Sequence, residues 1–337
     1  MSDWVRVWRC AVRLGATPED FVVEEVPLYA PSGAGAHTFV FVEKRGRTTE
    51  EVARWLAHVA DVTPADVGYA GRKDKQAVTR QWLSVPGLAP EAALALEAEG
   101  VRVLDAQRHE HRLRTGQLRG NRFALVVREL SEQQVRDAPA AAERVRRVGL
   151  PNKFGAQRFG RDGDNAERAR ALLAGGAPPR DRRAARFLLS ALQAEVFNAF
   201  LAARPLALDA LEVGEVATLH ASGGSFVVED LAREAPRAAA FEISASGPIF
   251  GTKLLAPRGA PAEREAAVLR AAGIPERLAP PRGIKLRGAR RPVRVPVPDL
   301  RIESAAPDAL RVAFTLPAGS YATVLAEALF TGAETGA

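Results

Sequence analysis

The most informative stretch of this 337-residue chain is GRKDKQAVTRQ, residues 71–81. Apolar residues on both sides predict short strands at 67–70 and 81–85, so the charged centre of the stretch lies in a connecting loop. Loops that a rigid sheet holds in place often display catalytic groups. The stretch therefore predicts a fold rich in β-structure, with Asp74 as a candidate catalytic residue.

Two lysines flank Asp74 in a chain that otherwise uses arginine. Only six of its 47 basic residues are lysine, yet Lys73 and Lys75 occupy both neighbouring positions. Nearby positive charge favours the ionised form of a carboxylate, which a nucleophile or a general base requires. An isolated Lys-Asp-Lys is more often a solvated surface turn, so the tripeptide alone does not decide the function.

Composition restricts the class of protein. A chain of this length suits two domains, and 47% hydrophobic residues are enough for a buried core. Its single cysteine excludes an internal disulfide, and no apolar run of about 18 residues predicts a membrane span or a signal peptide. We therefore expect a cytoplasmic protein. A net charge of +7 and a pI near 10.0 indicate a polyanionic partner.

The pattern of apolar residues predicts an α+β fold with mainly antiparallel pairing. Segments 21–26 and 37–43, separated by a turn at 31–35, predict a hairpin. Thr48 and Glu51 form a capping box that begins a helix. Further predicted elements are strands at 101–104, 123–130 and 310–316 and helices at 90–99, 131–147, 183–204 and from 322. We place a domain boundary at 149–151 and a connector at 282–298.

Several segments resemble the TruD family of tRNA pseudouridine synthases. Residues 71–81 fill every fixed position of that family's pattern G-x-K-D-K-x-A-x-T-x-Q. The other matching segments, in chain order, are PEDFVVEE (18–25), GNRF (120–123), PNKFGAQRFG (151–160) and LPAGSYAT (316–323). Two positions differ from the family pattern, because Tyr321 replaces a common phenylalanine and Gly15 replaces a lysine. The nearest base to that position is Arg13.

The resemblance implies a fold, a reaction and a set of site residues. The fold is an α+β pseudouridine-synthase core, from 1–148 and 298–337, with an inserted α/β TRUD domain at 149–297. The reaction is conversion of uridine, at position 13 of tRNA, to pseudouridine with Asp74 as nucleophile. The implied substrate-binding residues are Phe21, Asn121, Phe123 and Tyr321, and the flanking Lys73 and Lys75 complete the predicted site.

The residue types suit this reaction. The base breaks its bond to C1′, turns and rejoins through C5, so we expect neither a cofactor nor a metal. The sequence has no phosphate-binding glycine loop, and His109 and His111 have no obvious third ligand. Phe123 and Tyr321 can stack on an extruded base, and the Asn121 amide matches the uracil edge. Asp74 either attacks C1′ or removes the 2′ proton, and both routes need a carboxylate.

Clustered arginines predict the phosphate contacts of an RNA-binding protein. Residues 102–128 hold seven arginines and two histidines, and we interpret them as a hairpin that follows an RNA backbone. Lys153, Arg158, Arg161 and the segment 282–294 add positive charge. The alternative is an RNA-binding or RNA-chaperone protein that performs no chemistry. A methyltransferase is a weaker third hypothesis, because no dinucleotide-type glycine loop is evident.

Overall fold

A computed structural model describes residues 13–14, 17–160, 163–179, 181–278, 280 and 283–331. They form two compact units. The first unit consists of residues 13–143, Val297–Ala322 and 329–331, and the second of Arg144–Pro296 and Thr323–Ala328. The unit boundaries fall inside two helices, near their residues 143 and 323. The predicted domain limits remain a prediction, and their outermost residues, 1–12 and 332–337, lie outside the described part.

Sixteen strands are present in the described residues. In chain order they are β1 Arg13–Leu14, β2 Phe21–Pro27, β3 His37–Lys44, β4 Gly68–Tyr69, β5 Val78–Pro86, β6 Glu97–Ala98, β7 Val101–His109, β8 Leu118–Arg128, β9 Leu150–Pro151, β10 Val216–Leu219, β11 Ser225–Val227, β12 Ile243–Ile249, β13 Ala289–Pro292, β14 Arg294–Val295, β15 Arg301–Ala306 and β16 Ala309–Pro317. The predicted strands all appear, and most of them are longer than predicted. Near the ends of a strand the alternation of apolar and polar residues is weaker, although the backbone is still paired.

Eight α-helices accompany the strands in the described residues. They are α1 Thr49–Val59, α2 Pro90–Leu94, α3 Glu132–Val148, α4 Asn165–Leu173, α5 Arg182–Ala203, α6 Leu231–Ala239, α7 Ala260–Ala271 and α8 Ala322–Phe330. The predicted capping box is confirmed at α1. The Thr48 side chain accepts from the Glu51 amide, and the Glu51 carboxylate accepts from the Thr48 amide. Two of the four amides at the start of α1 are thereby satisfied.

The first unit is built on one large sheet. Its strand order is β15-β16-β8-β2-β5-β3-β7-β6, with β1 added beside β8 and β4 beside β5. Only β2 and β5 pair in parallel, so the prediction of a mainly antiparallel sheet is confirmed. The strands β15 and β16 come from the C-terminal part of the chain; β16 pairs with β8, and β15 pairs with β16 at the edge of the sheet. The two ends of the sequence therefore build the same sheet.

Two predicted hairpins are wrong. β2 and β3 are not neighbours, because β5 inserts between them and pairs with both. β7 and β8 are also apart, since β7 pairs with β3 and β6 while β8 pairs with β2, β16 and β1. Alternating apolar residues reveal that a segment is a strand, but they do not choose its partner. That choice depends on pairings between segments that are distant in the sequence.

Helix α1 buries its apolar stripe against one face of this sheet. Val52 and Leu56 belong to one core with Val40, Val42 and Leu83, and all five are almost fully buried. The first residue of the helix, Thr49, contacts the loop between β4 and β5, because its hydroxyl accepts a hydrogen bond from that loop. The packing of α1 against the sheet therefore fixes the position of its first residues. Through Thr49 it also fixes the position of the loop.

The second unit combines helices with a small sheet. Its strands run in the order β11-β10-β12-β13, and β9 pairs separately with β14. Helices α4 and α5 share a core with Phe250, Ile284 and Leu286. The buried Arg204 donates from Nε and Nη2 to the two carboxylate oxygens of Glu215, at 2.8 and 2.9 Å. No described helix is both long enough and apolar enough to cross a membrane.

Candidate active site

One face of the large sheet carries the candidate substrate residues. Cross-strand partners point to the same face, and alternate residues along a strand do so too. Glu25 pairs with Asn121, and Val23 pairs with Phe123. Val23 also lies beside Thr79, which pairs with Lys44. We call this side the inner face. Helix α1 packs on the same face, over Val40, Val42 and Leu83.

The loop 70–77 is attached to polar side chains of the inner face. Gln81 Nε2 donates to the carbonyl of Gly71 at 3.0 Å. Lys44 Nζ donates to the carbonyl of Asp74 at 2.7 Å. Lys73 Nζ reaches Glu25 Oε2 at 2.7 Å, and Glu25 is the strand partner of Asn121. These three contacts hold the loop over the inner face, so Asp74 belongs to the same region as Asn121.

The Asp74 carboxylate itself is exposed. Its Oδ1 accepts a hydrogen bond from the Gln76 amide at 2.9 Å, an Asx-turn that orients the side chain locally. The carboxylate lies at the surface of the loop, because the loop is bound to the sheet through its carbonyl groups and through Lys73.

The two flanking lysines are held by glutamates. Lys73 and Glu25 form a buried pair, and burial raises the pKa of Glu25 despite the opposing effect of the Lys73 charge. Lys75 is largely exposed, and its Nζ lies 3.6 Å from Oε1 of Glu51 at the start of α1. The sequence therefore identified two lysines of the loop, but it did not predict that their direct partners are Glu25 and Glu51.

Sequence reasoning missed Lys44, a buried cation beneath the loop. It is 1% exposed, and its Nζ donates to the carbonyls of Arg47 at 2.8 Å and Asp74 at 2.7 Å, with that of Lys73 at 3.4 Å. Burial lowers the pKa of Lys44 to about 8, and the charge of Asp74 partly opposes this effect. The scarcity of lysine in the chain was a usable signal, because Lys44 is one of only six.

Thr49 is a second polar residue that the sequence did not single out. Its hydroxyl accepts from the Lys73 amide at 2.9 Å and donates to Gln81 Oε1 at 2.8 Å. Thr49 and Gln81 are both fully buried. Because Gln81 also holds Gly71, this chain of hydrogen bonds links α1, the loop and β5, and it explains why the motif ends in an amide side chain.

Aromatic rings lie next to Asn121 on the inner face. Phe123 stacks against Phe314 with ring centroids 5.0 Å apart and against Phe21 at 6.5 Å. Phe123 is 8% exposed, whereas Phe21 is half-buried. Asn121 Oδ1 is buried and has no hydrogen-bond partner among the described residues. A buried acceptor without a donor is costly, so this atom is suited to accept from a ligand.

The strand pairing brings the C-terminal segment to the same place. Leu316 pairs with Asn121, and Pro317 pairs with Gly120. A Cβ on Gly120 would lie 2.2 Å from the Leu316 carbonyl oxygen, so only glycine allows these two strands to approach so closely. Tyr321 is half-buried and follows four residues after Pro317. The sequence segments 120–123 and 316–321 are therefore neighbours in the first unit.

Two arginines of segment 102–128, Arg102 and Arg122, form ion pairs on the opposite face of the sheet. Glutamates there bind arginines in a ladder across five strands. Its members, in order, are Arg122, Glu24, Arg80, Glu43 and Arg102, joined by contacts of 2.8–3.2 Å. These residues alternate with those of the inner face. The prediction that this segment forms one hairpin is thus wrong, because its strands β7 and β8 are not neighbours. Contact of its arginines with phosphate remains a prediction.

Some predicted residues lie outside the part of the chain that the structure describes. These are Gly15, Arg161, Arg282 and the side chain of Arg13. His109 ends β7 and His111 follows it, and their rings meet edge to face with centroids 6.4 Å apart. No group of three or more His, Cys, Asp or Glu residues within the described ranges is arranged to hold a metal ion.

Comparison with known proteins agrees with the motifs. The family model for tRNA pseudouridine synthase D (TruD) matches residues 7–177 and 180–328. A tRNA pseudouridine synthase D from Anaeromyxobacter sp. (strain Fw109-5) is 48% identical over 335 residues, covering 95% of this chain and 93% of its own. A protein of that name from Thermus thermophilus is 44% identical over 312 residues, covering 91% and 85%.

The chain belongs to the TruD family of tRNA pseudouridine synthases. Its enzyme class is therefore that of the isomerases. A TruD crystal structure from Methanosarcina mazei has the same fold, with a TM-score of 0.73 and 20% identity, and the match covers 98% of this chain and 95% of that one. The predicted family, enzyme class and α+β fold are confirmed.

Proposed function

We propose that the enzyme converts uridine 13 of tRNA to pseudouridine with Asp74 as the nucleophile. The observation that carries this proposal is the attachment of the Asp74 loop to the inner face, through Lys44 and the Lys73–Glu25 pair. Glu25 is the strand partner of Asn121, whose buried oxygen has no donor in the described residues. A carboxylate, an unsatisfied amide and aromatic rings are thus carried on one surface.

Each residue has a role in this proposal. The target nucleotide leaves its stack, and its ring is held by contact with the aromatic surface of Phe21 and Phe123, while Tyr321 adds a further ring. Asn121 Oδ1 accepts the N3–H of uracil, which a cytosine lacks. The exposed position of Asp74 is consistent with this role, because the sugar of the bound nucleotide must reach its carboxylate.

The reaction balances without a cofactor. The bond between N1 and C1′ breaks and a bond between C5 and C1′ forms, so the C5 proton is released and N1 gains one from water. Asp74 either bonds to C1′ and leaves again, or removes the 2′ proton and returns it. Both routes require an ionised carboxylate near the ribose. The exposed Lys75 contributes positive charge at the loop, where the phosphates on both sides of the nucleotide are expected. Lys73 contributes through its buried pair with Glu25, which holds the loop on the inner face.

The decisive experiment replaces Asp74 by asparagine. Asp74→Asn should bind tRNA with unchanged affinity and release no tritium from tRNA labelled at C5 of uridine. Asp61→Asn is the matched control, since Asp61 is exposed and its backbone φ of 51° is one that asparagine tolerates. Turnover by Asp74→Asn would refute the nucleophile assignment. A wild-type protein that binds tRNA and never converts uridine would instead support the RNA-chaperone alternative.

The position of the target needs a separate test. A tRNA with cytidine in place of uridine at position 13 only should release no C5 tritium from its remaining uridines. Undiminished release from this tRNA would show that another uridine is modified. We further propose that residues 1–148 and 298–337 are the catalytic domain, that 149–297 are the inserted domain, and that the enzyme meets its tRNA in the cytoplasm.

A further inference from the structure

The second unit contains a small pocket between α5 and the extended segment 284–287. Its volume is about 110 Å³, and its lining residues are Arg186, Leu189, Gln193, Ile284, Lys285, Leu286 and Arg287. Pockets for whole nucleotides and similar ligands usually measure about 300–1,000 Å³. This pocket is therefore too small for a nucleoside, and it has room for a compact group such as a tetrahedral oxyanion.

The pocket has a rigid base. Leu189 of α5 and the side chains of Ile284 and Leu286 are buried in one hydrophobic core. Since alternate residues of an extended segment point to opposite sides, Lys285 and Arg287 point outward, and both are exposed. The segment is also fixed by backbone hydrogen bonds to Thr252, which donates to the Leu286 carbonyl and accepts from the Gly288 amide, both at 2.8 Å.

The charged lining residues are all cations. Arg186 is contributed by α5, and Lys285 and Arg287 by the facing segment. Arg182 adds a guanidinium at the edge, about 3.3 Å from the position of a Cβ on Gly283. No described carboxylate pairs with these four side chains, in contrast to buried arginines such as Arg204. Three unpaired cations that line a pocket of this size, Arg186, Lys285 and Arg287, are suited to an anion.

We propose that this pocket binds one phosphate of the tRNA backbone. Arginine forks and an ammonium group recognise phosphate by charge-assisted hydrogen bonds, and the leucine and isoleucine side chains beneath them keep the cations in place. The proposal rests on tRNA being the substrate of this family. It does not depend on Asp74, because the pocket positions RNA and performs no chemistry.

Salt dependence of tRNA binding tests the proposal. The triple variant Arg186→Gln, Lys285→Gln and Arg287→Gln removes three positive charges from the protein. Under the proposal it loses its contact with only one phosphate of the tRNA. The slope of log K against log salt should therefore fall by about 0.7–0.9, the contribution of one neutralised phosphate. Between 50 and 200 mM salt, its affinity deficit relative to wild type should shrink by about 2.6- to 3.5-fold. A direct measurement is fluorescence anisotropy with full-length tRNA.

The control variant carries the same loss of charge elsewhere in the second unit. Arg144→Gln, Arg147→Gln and Arg270→Gln remove three exposed arginines that do not line the pocket, and this triple variant should keep the wild-type slope. The charge-preserving triple variant R186K, K285R and R287K should also keep it. An unchanged slope in the Gln pocket variant, an equal loss in both Gln variants, or a loss near three phosphates would overturn the proposal.

Turnover separates this proposal from the catalytic one. At saturating tRNA the Gln pocket variant should release tritium at the wild-type rate, because its defect lies in binding. Asp74→Asn should show the opposite pattern, with normal binding and no release. A pocket variant with normal affinity and a lost rate would contradict the phosphate site while leaving the role of Asp74 intact.

Discussion

Replacement of Lys44 by methionine should abolish activity while leaving the protein folded. Methionine matches the length and apolar stem of lysine but has no donor for the carbonyls of Asp74 and Arg47. The loop then loses its contact with β3 directly at Asp74. Since a misplacement of about 1 Å in an active site can cost on the order of 100-fold in rate, we expect kcat to fall by at least about 100-fold.

The free energy of unfolding should change much less, because two effects oppose each other. Burial lowers the pKa of Lys44 from 10.5 to about 8, so holding this ammonium in the folded protein costs about 3 kcal/mol at neutral pH. Methionine removes that cost. It also leaves two carbonyl oxygens without their donor, at about 1–3 kcal/mol each. The net change should therefore stay within about 3 kcal/mol of zero.

The pH dependence of stability provides an independent check on Lys44. Between pH 8 and 10.5 the unfolded chain keeps the Lys44 proton while the folded protein has lost it. Because the unfolded state then binds more protons, the contribution of Lys44 to the free energy of unfolding rises with pH in this window. The methionine variant lacks this contribution, so urea titrations at about pH 7 and pH 10 should show a smaller rise for it than for wild type.

Tritium release and urea unfolding together decide whether Lys44 positions the loop. Lys253→Met is the control, since Lys253 is exposed and its loss removes the same charge. We expect wild-type kcat from the control and a lowered kcat, more than a raised KM, from Lys44→Met. The positioning role is refuted if the folded Lys44 variant turns over normally. It is also refuted if its rate falls only as far as its folded fraction does.

Three further substitutions test the site and the fold. Asn121→Ala should lower kcat/KM by about 10- to 100-fold. It should not lower stability, because the buried Oδ1 has no hydrogen-bond partner to lose among the described residues. A lower melting temperature of the variant would contradict this. Gly120→Ala should destabilise the protein by several kcal/mol, since its Cβ would overlap the Leu316 carbonyl, and an unchanged melting temperature would argue against the observed register. Arg204→Met should lower the free energy of unfolding in urea by about 3–5 kcal/mol, because it leaves Glu215 buried and without its ion-pair partner. The control Arg258→Met removes one partner of an exposed pair and should lower it by less than about 1 kcal/mol. Equal losses in the two variants would refute the argument from burial.

The sequence located the reactive loop but not its supports. Residues 71–81 matched a specific motif, so Asp74 and its flanking lysines were identified from the order of the residues alone. Glu25 and Lys44 were not identified. Each is one charged residue in a strand whose side chains alternate between the two faces of the sheet, and its position in the sequence does not show which face it occupies or what lies there. Their importance depends on β5 lying between β2 and β3, and these pairings join residues separated by 35 to 56 positions in the sequence.

The same reason explains the wrong expectation of a hairpin in the basic segment. Segment 102–128 is strongly basic, and charge alone predicted an RNA-binding hairpin. In the folded protein Arg102 and Arg122 lie on the face opposite Asn121, where they form ion pairs with Glu43 and Glu24. A shift of one residue along a strand moves a side chain to the other face, so composition could not decide which arginines remain available to a phosphate.

The sequence by itself determined the family, the α+β class, the reactive aspartate as a candidate and the approximate positions of several strands and helices. These features depend on local order: motif residues at fixed spacing, caps, and alternation along one strand. The tertiary structure alone decided the strand order, the sharing of one face by Asn121, Phe123 and Glu25, and the burial of Lys44 under the loop. Such features arise from the requirement that distant segments bury one another's side chains and satisfy one another's hydrogen bonds, and no short window of sequence records which partners achieve it.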